Sequence, residues 1–184
     1  MNTEALFVEG QRQMLAGHFQ EGVVAFSEVL RKDPHLHDAY QARGAVRIML
    51  MEYPAAISDL TAAIAMDDTQ ALSYFERGCV FRLMGCFEEA VRDFTKALVL
   101  KPDHGPAYLA RGLCFVKLGR DQMAEVDLGC AVKLGEKGLQ GFADEMGMIR
   151  TRRDEVEALL TGERGIPVIH LPDEEMVQLK GLFH

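Results

Sequence analysis

The chain has no run of five or more basic residues, and acids flank its strongest basic cluster, Arg150-Thr151-Arg152-Arg153. With a net charge of −8, it lacks the basic stripe that neutralises phosphates. Nucleic acid is therefore not expected as the main ligand, nor is an anionic membrane surface. No stretch of about 18 apolar residues occurs, so no membrane-crossing helix is expected. The opening Met1-Asn2-Thr3-Glu4 lacks the basic and apolar regions of a signal peptide, and a cytoplasmic location is expected. Cysteine is scarce: Cys79, Cys86, Cys114 and Cys130, with no C-x-x-C pair. That spacing gives no zinc site and reads as free thiols in a reducing compartment, three in helices and Cys86 in a tight turn.

Catalytic constellations are missing too. There is no nucleophile elbow, no glycine-rich phosphate loop and no H-E-x-x-H. The carboxylate pairs Glu88/Glu89 and Asp67/Asp68 fall near helix ends and read as solvated or helix-dipole groups. His35 and His37 flank a loop and are a weak metal signal. The chain is expected to be no enzyme, with no cofactor and no bound metal. An enzymatic reading would need a group from the tail, where His170 is the one candidate.

About half of the chain is apolar, ample for a core, and the apolar residues repeat with a long period. Gly10, Gly44, Gly78 and Gly112 are 34 residues apart. Tyr40, Tyr74 and Tyr108 keep the same step, as do Arg43, Arg77 and Arg111, then Ala56, Ala90 and Ala124, then Asp59, Asp93 and Asp127. Such a period marks an array of helix–turn–helix units, each burying its apolar face by stacking on its neighbours. The units run 3–36, 37–70, 71–104 and 105–138, each with two amphipathic helices. Turns fall at Gly17, near Met51, at Gly85 and at Gly119. Pro34 and Pro102 stop second helices, whereas Pro54 and Pro106 sit in first turns, where a missing N–H costs nothing. A glycine inside a helix costs about 1 kcal/mol against alanine, so its recurrence in every first helix implies close approach of the second helix. The recurring Arg and Asp read as an ion pair within each unit. The first unit has Glu9 and Ala25 instead, and the joint loss supports the pairing.

Unit three carries Tyr74 and Gly78, then Gly85, Phe87, Ala90, Phe94, Ala97 and Pro102. These residues resemble the tetratricopeptide repeat family. The others depart in places: unit two at Met51 and Asp68, unit four at Asp121 and Glu136, unit one at Leu6 and Gly22. The resemblance covers residues 3–138 and implies an all-α, right-handed solenoid of four helix–turn–helix units.

It also implies a concave groove lined by first helices. The matching positions are Phe7, Gln11 and Met14 in unit one and Gln41, Ala45 and Ile48 in unit two. Unit three gives Phe75, Glu76, Cys79 and Arg82, and unit four Leu109, Leu113 and Val116. So apolar a face usually marks a binding site, and such grooves hold extended or helical peptides by apolar anchors. The expected function is a protein–protein interaction module, an adaptor, assembly factor or chaperone-like scaffold. Its expected partner is a protein or peptide with apolar anchors, with no nucleic acid and no membrane. Co-chaperones of the family hold a C-terminal carboxylate with a basic clamp. The matching positions here are Phe7, Gln11, Ala42, Leu72 and Glu76. None is basic and Glu76 would repel a carboxylate, so that ligand is rejected.

Residues 139–161 read as an amphipathic capping helix. Residues 162–184 read as a tail, extended from Ile166 to Pro172 and ending in a short helix. Self-association through this tail is open. So is an architectural role in a larger stable complex, with the groove filled by the chain's own tail or a neighbour's.

Overall fold

A computed structural model describes residues 2–146 of the chain, with 136–146 described by backbone alone. Every element there is a helix: α1 (Thr3–Leu15), α2 (Phe19–Lys32), α3 (His37–Met49), α4 (Tyr53–Met66), α5 (Ala71–Leu83), α6 (Phe87–Leu100), α7 (Gly105–Lys117) and α8 (Asp121–Met146). First helices start at residues 3, 37, 71 and 105, and second helices at 19, 53, 87 and 121. The 34-residue sequence period is thus the period of the structure.

Local chemistry sets the ends. Asn2 caps α1 by accepting from the Ala5 N–H at 2.7 Å, a favoured N-cap arrangement. Pro54 and Pro106 lie in the first turns of α4 and α7. Pro34 and Pro102 follow the C-caps of α2 and α6, Asp33 and Lys101. Within each pair the chain reverses through one residue in the left-handed region. It is Gly17, Gly85 or Gly119 in three pairs, with φ of 77°, 77° and 68°, and Met51 in the other, with φ of 59°.

Two bodies divide the chain, Met1–Pro102 and Asp103–His184. In the first, α1/α2, α3/α4 and α5/α6 form three antiparallel pairs, and α2 packs on α3 as α4 does on α5. The helical glycines set the spacing within pairs. A Cβ on Gly10 would stand 2.7 Å from the Phe26 ring, on Gly44 2.9 Å from Leu60, and on Gly78 2.8 Å from the Phe94 ring. Phe26, Leu60 and Phe94 are wholly buried, each stabilising the body by roughly 1.5–3 kcal/mol.

Polar bonds run along the same pairs. Arg43 donates from Nε and Nη2 to both oxygens of Asp59 at 2.9 and 2.6 Å. Its Nη1 reaches back to the Ser27 hydroxyl on α2 at 3.0 Å. Arg77 repeats the pattern with Asp93, at 2.8 Å for both bonds, and with Thr61 on α4 at 3.0 Å. Each guanidinium also lies over the tyrosine three residues earlier, Tyr40 or Tyr74, at 5.7 and 5.8 Å from the ring centre. Arg47 adds a second cation to Asp59 at 2.8 Å. In the first pair Glu9 instead binds Arg12 at 2.6 Å, and Ala25 is buried.

In the second body α7 packs on α8. Arg111 binds Asp127 at 2.7 and 2.8 Å, and Leu113, Leu128 and Leu109 form its core cluster. The helix α8 runs unbroken through residue 138 to Met146. Position 136, where proline ends a repeat of the family pattern, holds Glu136, which can continue a helix. The rest of the expected capping segment 139–161 and the tail 162–184 lie outside the described residues.

Candidate functional site

The expected groove residues lie on first helices. Successive first helices adjoin in the first body. The Gln41 side-chain amide on α3 donates to Glu76 Oε2 on α5 at 3.3 Å. Four residues earlier on α3, the His37 ring bonds the Ser73 hydroxyl of α5 at 3.2 Å. Expected from the sequence to flank an exposed loop, His37 is the first residue of α3, and its side chain is 14% exposed. The Gln41–Glu76 bond joins half-buried side chains of α3 and α5, whereas the His37–Ser73 bond lies beneath them, Ser73 being wholly buried.

The expected groove residues of this body are not equivalent. Gln11 is exposed, whereas Met14, Gln41, Ala45, Ile48, Phe75 and Cys79 are half-buried. Phe7 meets the Phe26 ring edge-on at 5.4 Å and packs on the Val29, Leu30 and Ala39 cluster. Phe75 lies 5.8 Å from the Phe94 ring, and Ile48 packs on Ala56, Leu60 and Val80. These side chains give part of their surface to the helix-pair core. Arg82 is only 7% exposed, so it belongs to the interior more than to a ligand. In the second body Leu113 is likewise buried, and Leu109 and Val116 are half-buried on α7.

Outside the expected groove set, Val8 on α1 and Leu72 on α5 are exposed apolar residues, at 56% and 48% exposure, as are Leu15, Met49 and Leu83 at the C-terminal ends of α1, α3 and α5. Leu72 lies one turn before Glu76, on its side of α5.

Glu76 has the most perturbed chemistry of the expected set. Burial is the larger influence and pushes its carboxyl up to about 7; the Gln41 hydrogen bond pulls the other way. Among the described residues no cation pairs with it. Arg43 and Arg47 of α3 and Arg77 of α5 are committed to Asp59 or Asp93.

Elsewhere, Asp67 at the end of α4 accepts from the Thr69 hydroxyl and N–H and from Gln70, which lowers its carboxyl to about 2. It orders a loop. Among the described residues no group of three or more His, Cys, Asp or Glu could hold a metal ion, and no helix is long and apolar enough to cross a membrane.

The tetratricopeptide repeat family model matches residues 71–104, the third helical pair. A crystal structure of MamA is similar at 27% identity and a TM-score of 0.73, over 76% of this chain and 81% of that one. The third helical pair is a tetratricopeptide repeat, and the chain shares the fold of tetratricopeptide repeat proteins. Two further structures share the fold. MamA from Desulfovibrio magneticus RS-1 is 23% identical with a TM-score of 0.70, over 74% of this chain and 77% of that one. The first tetratricopeptide domain of Spaghetti (RPAP3), solved with the HSP90 peptide SRMEEVD, is 21% identical with a TM-score of 0.63, over 64% and 93%. No curated protein matches the chain. The tetratricopeptide repeat fold is that of a protein–protein interaction module.

Proposed function

We propose that the chain is a non-catalytic adaptor or assembly scaffold that binds an apolar segment of another protein along its first-helix face. The observation that carries this reading is the Gln41–Glu76 bond, which joins half-buried side chains of α3 and α5. On these two helices Phe75 and Ile48 keep part of their area outside the core, and Leu72 stands free beside Glu76. An apolar, half-open helical face is suited to anchoring a peptide through a few large side chains. The peptide held by the RPAP3 domain lends the reading support by likeness of fold. The acidic balance of the chain, net −8, disfavours nucleic acid and anionic lipid. The spacing of Cys79, Cys86, Cys114 and Cys130, with no C-x-x-C pair, suits a reducing, cytoplasmic setting.

The test is affinity capture from source lysate with the intact chain and with a Val8→Glu/Leu72→Glu variant. Both positions are exposed, so the variant should melt as the wild type does. Loss of a specific partner with the variant is the expected result. Identical partner sets would remove the first-helix face as the interface.

A further inference from the structure

The register of the repeats isolates Glu76 as a residue the fold does not require. The corresponding positions in the other first helices are Val8, Ala42 and Ala110, none of which is polar. The buried carboxylates that the fold does repeat, Asp59, Asp93 and Asp127, each carry a bidentate arginine. Glu76 sits half-buried on α5 with one neutral donor, Gln41, at 3.3 Å. A carboxylate in such a place is incompletely satisfied and gains most from a cation brought to it. Its neighbours on that helix, Leu72 and Phe75, would pack the methylene stem of a long basic side chain while the head reaches the carboxylate. We propose that the α3/α5 face takes an extended segment whose lysine or arginine pairs with Glu76, flanked by apolar residues that seat on Leu72, Phe75 and Ile48. The inference rests on the reading of this face as a peptide site and adds the charge of the ligand. It reverses the polarity of a clamp for acidic C-termini, for which the face has no cation at Phe7, Gln11, Ala42 or Leu72. Burial raises the Glu76 carboxyl to about 7, so before a cation arrives its protonated and charged forms are comparably populated near neutrality.

The test uses fluorescent synthetic peptides of alternating apolar and small residues. A single lysine is scanned through every position, and a matched series carries norleucine in its place. Binding to the full chain is measured by anisotropy. At one or a few positions the lysine peptide should bind about tenfold more tightly than its norleucine counterpart. Glu76→Gln should erase that preference while leaving norleucine peptides bound. Glu125→Gln, an exposed change of equal charge on α8, should leave it intact. Equal binding of the two series, or a lysine preference that survives Glu76→Gln, overturns the inference and leaves the peptide-site reading standing. Failure of both series to bind overturns the reading itself and the inference with it.

Discussion

Arg77 and Asp93 stand sixteen residues apart in sequence and meet through two parallel hydrogen bonds, both 2.8 Å long. Asp93 is 6% exposed, and the guanidinium lies over Tyr74 as it bonds back to Thr61 of the preceding pair. The arginine thus ties α5 to α6 and to α4. Removing one member of a buried pair leaves the other charged and unsatisfied, at a cost of about 3–5 kcal/mol. Arg77→Ala and Asp93→Asn should each lower the urea midpoint by a comparable amount, and the double variant should cost far less than their sum. Additive losses would mean that the pair is not energetically coupled.

The two kinds of helical glycine should respond oppositely to alanine. At Gly78 a Cβ would lie 2.8 Å from the Phe94 ring, whereas at Gly22 nothing is nearer than 3.6 Å. Gly78→Ala should destabilise by roughly 1–3 kcal/mol through overpacking. Gly22→Ala should stabilise by about 0.5–1 kcal/mol through helix propensity. Thermal melts of the two variants read the signs directly, and equal signs would contradict the packing.

Met51 holds the left-handed position that glycine holds at 17, 85 and 119, with φ of 59°. Its side chain is 74% exposed, so nothing in the packing offsets the strain, about 1–2 kcal/mol for a residue with a Cβ. Met51→Gly should stabilise by ~0.5–1 kcal/mol net, because glycine also gains freedom in the unfolded chain. A neutral or lower melting temperature would contradict this.

Glu76 makes stability depend on pH. The unfolded carboxyl titrates near 4.5, and the folded one is pushed up to about 7 by burial. Between those values the folded state holds a proton that the unfolded state has lost, so stability falls as pH rises through the window and levels off above it. Glu76→Gln should match the wild type at pH 4 and exceed it at pH 8 by roughly 1–3 kcal/mol. Urea titrations at the two pH values check this, and a difference independent of pH would contradict it.

The architecture was legible in the sequence because its signals are local and repeated. The glycine positions, the prolines and the tyrosines each recur at one step, and the joint absence of arginine and aspartate from the first unit marked them as partners. What was not legible depends on the helix that lies opposite. Ser27 and Thr61 share the 34-residue step, yet only packing shows that each receives the arginine of the next pair. Arg47 occupies a position where the third and fourth first helices carry Phe81 and Phe115, and its bond to Asp59 has no counterpart in the period. His37 looked like a loop residue because its partner, Ser73, lies 36 positions away. Glu76 looked like a simple charge on a groove, since burial from α3 is invisible along α5. At the C-terminal side, lack of a proline at 136 lets α8 pass the point where the period alone ends a unit.

The central claim is that partners meet the first helices and not the second. Site-specific photo-crosslinking in source cells tests it whatever the partner is. A benzoylphenylalanine is placed at Leu72 on α5 or, for comparison, at Val24 on α2 or Val99 on α6, which are 69% and 68% exposed. The account predicts a discrete adduct from position 72 and none from 24 or 99. Adducts from 24 or 99 with none from 72 would place the interface on the second helices and contradict it.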